Sequence, residues 1–108
     1  MRLARPEDLA AIVALTEAAY APYNAILDAP PIPVTEDYAP RIANGEVWLL
    51  ESGGEPAGVL TLERHADHAM IFSVAVSPAF QGKGFGTKLL NHADQQTRLW
   101  GLPEIRLY

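Results

Sequence analysis

Ser77-Pro78-Ala79-Phe80-Gln81-Gly82-Lys83-Gly84-Phe85-Gly86-Thr87 is the stretch that decides the fold, because it joins a strand-like run to a helix-like one through glycines. Upstream, Met70 to Val76 is rich in β-branched and apolar residues, and Ser77-Pro78 ends it because proline has no N–H to give a ladder. Downstream, Phe85, Leu89, Ala93, Thr97 and Trp100 recur at helical spacing, which predicts a helix over Phe85 to Trp100. Gly82, Gly84 and Gly86 lack Cβ, so the backbone between the two elements can turn sharply. Its N–H groups can then converge on an anion at the positive end of the helix dipole. A phosphate or pyrophosphate suits such a site.

The spacing excludes two commoner glycine loops. Thr87 stands where a dinucleotide fingerprint needs its third glycine, and an NTPase P-loop needs Ser or Thr after its lysine, whereas Lys83 is followed by Gly84. What remains is Gln81-Gly-x-Gly-x-Gly after Val74-Ala75-Val76-Ser77-Pro78, and this resembles the acetyl-CoA signature of the GNAT acyltransferases (GCN5-related N-acetyltransferases). The resemblance implies an α/β (α+β) fold, a mixed, mostly antiparallel sheet flanked by helices. It implies acetyl-CoA as cosubstrate, with pantetheine along Val74, Ala75 and Val76 and pyrophosphate on Gln81, Gly82, Lys83, Gly84, Phe85, Gly86 and Thr87. It further implies transfer of an acyl group to a primary amine of a small molecule or peptide, by direct attack in a ternary complex. Family members continue past the strand that follows the CoA-binding helix, whereas this sequence stops at Tyr108, so residues 1–108 are expected to form one such domain, C-terminally incomplete. Two other functions follow from that shortening: a CoA-binding module without turnover, or a fragment that needs a partner.

Composition narrows the partners. With 49% hydrophobic and 19% charged residues the 108-residue chain can bury a core as one globular domain. Eight Lys plus Arg against 13 Asp plus Glu give a formal charge of −5, which opposes a sequence-independent grip on nucleic acid. The absence of cysteine excludes an acyl-cysteine intermediate and a disulfide framework. His65 and His68 flank Asp67 with no second ligand pair, which predicts a polar hairpin turn and no metal. No apolar run approaches the length of a membrane span, and with no signal region a cytoplasmic location is expected.

The remaining elements frame the loop. Met1 to Ala4 predicts a strand stub, and Arg5-Pro6-Glu7-Asp8 opens a helix carried to about Tyr20 by Leu9, Ile12, Val13, Leu15 and Ala19. Pro22 ends it, and Ala29-Pro30-Pro31-Ile32-Pro33 predicts a loop. Thr35 is read as the cap of a helix to Ala43. Val47 to Glu51, Ala57 to Arg64 and Met70 to Val76 then form an antiparallel meander, and Pro103 to Tyr108 a final strand. The edge of that strand, lacking further strands, predicts a homodimer.

The proton acceptor carries the faintest signal. An ammonium must lose a proton before it attacks a thioester. Many relatives carry a carboxylate in the strand before the loop, where this chain has Phe72 and Ser73, so Glu63 in the preceding strand is the candidate base, with His65, His68 or a water relay as substitutes. Tyr20, Tyr23 and Tyr38 are expected near the acceptor loop in core or lid roles.

Overall fold

The structure, a computed structural model, describes residues 1–23, 33 and 36–107. The predicted loop Ala29 to Pro33 and the cap Thr35 lie outside the described residues apart from Pro33, and so does Tyr108. The elements are β1 (Arg2–Leu3), α1 (Leu9–Tyr20), α2 (Tyr38–Ala43), β2 (Val47–Ser52), β3 (Glu55–Arg64), β4 (Ala69–Val76), α3 (Phe85–Leu99) and β5 (Ile105–Leu107). They build one sheet in the order β1-β2-β3-β4-β5, with every pairing antiparallel except the parallel β4–β5 contact. This is the mixed, mostly antiparallel sheet that the resemblance implies.

Boundaries depart from the sequence reading where side chains outside a local window decide them. The first helix does not start at Pro6: Pro6–Asp8 form a 3-10 turn, because the Asp8 carboxylate accepts the Arg5 N–H at 2.8 Å and is gripped by Arg2 at 2.7 and 3.1 Å. The second helix begins at Tyr38, with Asp37 as the cap accepting from Ala39 N–H at 3.2 Å. β3 starts at Glu55 rather than Ala57, since a bulge at Leu50/Glu51 lets Pro56 lie opposite Glu51 without interrupting the ladder. The turn before it runs through Gly53 and Gly54, both at positive φ, the arrangement that matches strand twist in a two-residue hairpin. The long helix ends at Leu99, one residue short of Trp100, in a Schellman cap: Leu102 N–H bonds Thr97 C=O at 3.1 Å and Gly101 N–H bonds Arg98 C=O at 2.9 Å. The last strand begins at Ile105, not Pro103.

Alternation along the strands makes two cores. One face of the sheet takes α1 and α2, with Ile12, Leu15, Tyr38, Ile42, Val47, Leu49, Val59 and Ala75 buried together. The other takes α3, with Trp48, Leu50, Leu60, Leu62, Ala69 and Ile71 under Leu89 and Ala93. Leu89, Ala93 and Thr97 are the buried stripe that the helical periodicity marks out. Gly58 admits α3 to close range, since a Cβ there would stand 2.8 Å from Leu89 Cδ1 and 3.3 Å from the Ala75 carbonyl oxygen.

The alternation breaks once, in β4, and the break redirects two side chains. Thr61 pairs with Ser73 but the next residue, Leu62, pairs with Ile71, so Phe72 is an extra residue in β4. The bulge turns Phe72 and Ser73 both toward the α1–α2 layer: the Arg41 guanidinium of α2 lies 4.0 Å from the Phe72 ring centre, and Ser73 is buried.

Candidate functional site

The glycine loop is a turn: Gln81 N–H donates to the Pro78 carbonyl at 3.4 Å, and the N–H groups that open the following helix have no partner within it. Pro78–Phe80 make a 3-10 turn, after which Gly82 (φ 78°) and Gly84 (φ 82°) take left-handed conformations that a β-branched residue resists. Gly84 is the residue before α3, and no side chain caps that helix, so its first-turn N–H groups face outward for an anion. Around this backbone the side chains act as fasteners. Gln81 Nε2 donates to the Val76 carbonyl at 3.3 Å, and the Phe80 and Phe85 rings meet edge-to-face at 5.7 Å across the two ends of the loop. Lys83 Nζ lies 5.5 Å from the Phe80 ring centre and Lys88 Nζ 5.0 Å from that of Phe85, and neither lysine has an ion pair among the described residues.

The strand entering the loop is open on one edge. β5 pairs with β4 only from Ala69↔Ile105 to Ile71↔Leu107, so among the described residues no strand covers the Ser73–Val76 edge on that side. Backbone N–H and C=O groups there are available to an extended amide-bearing ligand. A cavity of about 280 Å³ lies beside it, lined by Val74, Ala75, Val76 and Gln81 together with Ala19 and Tyr20 from the end of α1. The structure thus brings the predicted strand residues and the first loop residue together around one space, and Gly82 to Thr87 continue from it into the helix start.

Glu63 lies elsewhere. It pairs with Met70, four residues up-strand of Val74 and therefore about 13 Å away along the sheet. Its carboxylate accepts from Arg41 at 2.9 Å and meets His65 Nε2 at 2.7 Å, while Arg41 also binds Glu36 at 2.5 Å and Glu46 at 2.9 Å. Partial burial pushes the Glu63 carboxyl upward, but the hydrogen bonds from His65 and Arg41 outweigh it and hold the group below its usual range. His65 and His68 stack at 4.6 Å in the β3–β4 turn, with His68 Nδ1 2.7 Å from Asp67. Among the described residues no three His, Asp or Glu side chains are placed to hold a metal ion.

Tyr20 forms part of the cavity wall, whereas Tyr38 is a core residue, 2% exposed, whose hydroxyl donates to the Pro33 carbonyl at 2.6 Å. The side chain of Tyr23 lies outside the described residues. Two features escape a local reading of sequence. Arg41, half-buried among carboxylates 5 and 22 residues away, ties α2 to β3, and the bulge at Phe72 aims Ser73 inward. Neither leaves a pattern within a window of neighbours.

Comparison with known proteins agrees with this geometry. The description "Acetyltransferase (GNAT) family" matches residues 12–108. A GNAT family acetyltransferase from Brucella melitensis, solved with acetyl-CoA, is 28% identical and superposes with a TM-score of 0.78 over 98% of this chain and 72% of its own. N-acetylglutamate synthase from Neisseria gonorrhoeae, solved with coenzyme A and N-acetyl-glutamate, is also 28% identical, with a TM-score of 0.70 over 94% of this chain. This chain spans 23% of that synthase's length. The PaiA N-acetyltransferase of Thermoplasma acidophilum, solved with coenzyme A, shares the fold at a TM-score of 0.83 and 19% identity, over 99% of this chain and 76% of its own.

Proposed function

This chain belongs to the GNAT acetyltransferase family, and from that membership we propose that it binds acetyl-CoA in the open edge of β4 and transfers the acetyl group to a primary amine. The observation that carries the proposal is the continuity of the site. Among the described residues a strand edge that no strand covers (Ser73–Val76), a cavity of about 280 Å³ and an uncapped helix start succeed one another without interruption. Pantetheine amides would pair with the backbone of Val74, Ala75 and Val76, and the pyrophosphate would sit on Gln81 to Thr87 and take N–H groups from Gly82 onward, with Lys83 as its nearest cation. The acceptor is a small-molecule or peptide amine that attacks directly in a ternary complex, consistent with a chain that has no cysteine to carry the acyl group. The proposal sets the protein in the cytoplasm. It includes self-association, for which Leu99 and Leu107, 80% and 75% exposed, offer apolar surface that sedimentation velocity would test.

Release of free thiol from acetyl-CoA in the presence of an amine panel tests the reaction. Binding of CoA with no thiol release for any amine would leave a cofactor-binding module and sink the transfer reading.

The base role read for Glu63 is decided by the pH profile of Glu63→Gln. A base would be missed most at low pH, where the amine is charged, and least at high pH. The ion pairs to Arg41 and His65 predict instead a pH-independent loss of activity accompanied by a lower melting temperature, because the variant leaves Arg41 short of a carboxylate. Loss confined to acidic pH with unchanged melting would establish Glu63 as the base.

A further inference from the structure

A second cavity, also of about 280 Å³, lies on the flank of α3 that faces away from the open edge. Its floor is Leu50 of β2 with Met1, and its wall is a stripe of α3: Lys88, Asn91, His92 and Gln95. Those four recur at intervals of three and four residues, so they share one side of the helix. The sheet fixes their distance from the first site. Leu50 pairs with Gly58 and Gly58 with Val76, so the floors of the two cavities stand at one level of the sheet, two strand spacings or about 10 Å apart. Leu89 stands over Gly58 between them, and on the β4 side of the helix a Cβ at Gly86 would reach Val76 Cγ2 at 3.9 Å. α3 thus separates the two cavities.

The formal charge of the chain is −5, yet among the described residues no carboxylate lines this cavity. Nearby acids are engaged elsewhere, Asp94 with Arg98 at 3.2 Å and Glu51 with Arg2 at 2.8 Å. The wall instead offers donors. Lys88 has no ion pair among the described residues, only the Phe85 ring 5.0 Å from its Nζ, and Asn91 and Gln95 add two carboxamides. His92 packs on the sheet, its ring centre 5.5 Å from that of Trp48, and its Nε2 is buried with no hydrogen-bond partner. Burial holds the imidazole below its usual range, so at pH 7 it is neutral and has one N–H to place. An orphaned buried N–H is the rarer kind of unpaired group, which sets the proton on Nδ1 and leaves Nε2 as the bare nitrogen.

We propose that this cavity binds a short-chain carboxylate. The Lys88 ammonium matches its single charge, the Asn91 and Gln95 amides and the His92 Nδ1–H donate to its oxygens, and its hydrocarbon lies on Leu50 and Met1. A phosphate dianion suits the cavity less, since it would bring two charges to one ammonium above an apolar floor.

The test is titration of butanoate into the full chain, followed by calorimetry and by the ring resonances of His92, with inorganic phosphate as the second probe. Saturable butanoate binding that is tighter than phosphate binding is the expected result, and saturating CoA should leave it unchanged. Lys88→Met should weaken it by about 10- to 100-fold, as loss of a charged hydrogen bond does. His92→Phe keeps a ring against Trp48 and removes the N–H, so it should weaken binding by about 3- to 10-fold without lowering the melting temperature, because the buried unpaired nitrogen goes with it. Gln95→Leu should act in the same direction and provides the measurement if His92→Phe folds poorly. Arg64→Met, which removes an exposed cation outside this cavity, is the control and should bind as the parent does. No saturable butanoate binding, or phosphate bound more tightly, overturns the inference. So does an equal loss in Lys88→Met and Arg64→Met, which would mean diffuse attraction to positive charge. Displacement of butanoate by CoA overturns it as well, since the cavity would then belong to the cosubstrate site.

Discussion

Gly84→Val is expected to weaken CoA binding by at least about 100-fold, or about 2.7 kcal/mol, while the domain stays folded. Two losses combine. Gly84 sits at φ 82°, where an L-residue costs about 1–2 kcal/mol and a β-branched one more, so valine rotates the peptides on either side and scatters the N–H groups. The added side chain also stands between the backbone and the phosphate it would approach. Nothing lies within 4 Å of a Cβ at this position, so the core beneath is untouched and Leu89, Ala93 and Thr97 keep α3 on the sheet. Gly101→Val is the control, since Gly101 has φ 71° at the far end of the same helix and should lose stability without loss of CoA affinity. Calorimetric titration of CoA into both variants reads the result, and equal affinity of the Gly84→Val and parent proteins would remove the pyrophosphate from this loop.

Gly58→Val should cost stability rather than ligand contacts, by about 1–3 kcal/mol net of the gain in strand propensity. A Cβ at Gly58 falls 2.8 Å from Leu89 Cδ1, and Leu89 is fully buried, so it cannot swing aside. For a domain of this size that is a drop in melting temperature of about 5–15 °C. The partner is identified by the double variant: with Leu89→Ala the two changes should be less destabilising together than their sum, because the truncated side chain makes room. A Gly58→Val protein that melts with the parent would show that α3 does not press on this strand.

How much of this was legible beforehand divides by range. The strand-loop-helix unit is written locally: Pro78 stops a ladder, three glycines permit the turn, and Leu89, Ala93 and Thr97 repeat at helical period. The meander was equally open, because Gly53-Gly54 and Ala66 to His68 punctuate apolar runs. Read alone, Ala69-Met-Ile-Phe-Ser-Val-Ala-Val76 is an almost continuous apolar strand, and nothing in it says that Phe72 is surplus to the ladder; only the register against Thr61 and Leu62 does. Arg41 is invisible for a related reason, since its network draws on elements far apart in the chain. Glu63 shows the opposite failure. A carboxylate in the neighbouring strand fits a chemical need on paper, yet its nearest charges belong to α2 and the β3–β4 turn.

The surplus residue in β4 also says something about how this strand tolerates change in length. Ala69 and Ile71 face α3, and so do Val74 and Val76, although the first two stand at odd positions and the last two at even ones. Removing Phe72 would leave Ala, Ile, Val and Val at strict two-residue intervals, a flawless strand by hydrophobic pattern alone. A random search for stable sequences would therefore find the shorter strand acceptable. Its cost would fall elsewhere: without the extra residue β4 loses the local twist that bulges supply, Ser73 no longer shares its direction with a neighbour, and the ring under Arg41 is gone. The interruption behaves like a single-base insertion that shifts the frame of one message without garbling it, keeping both halves in register with the same helix while freeing one hydroxyl to look the other way.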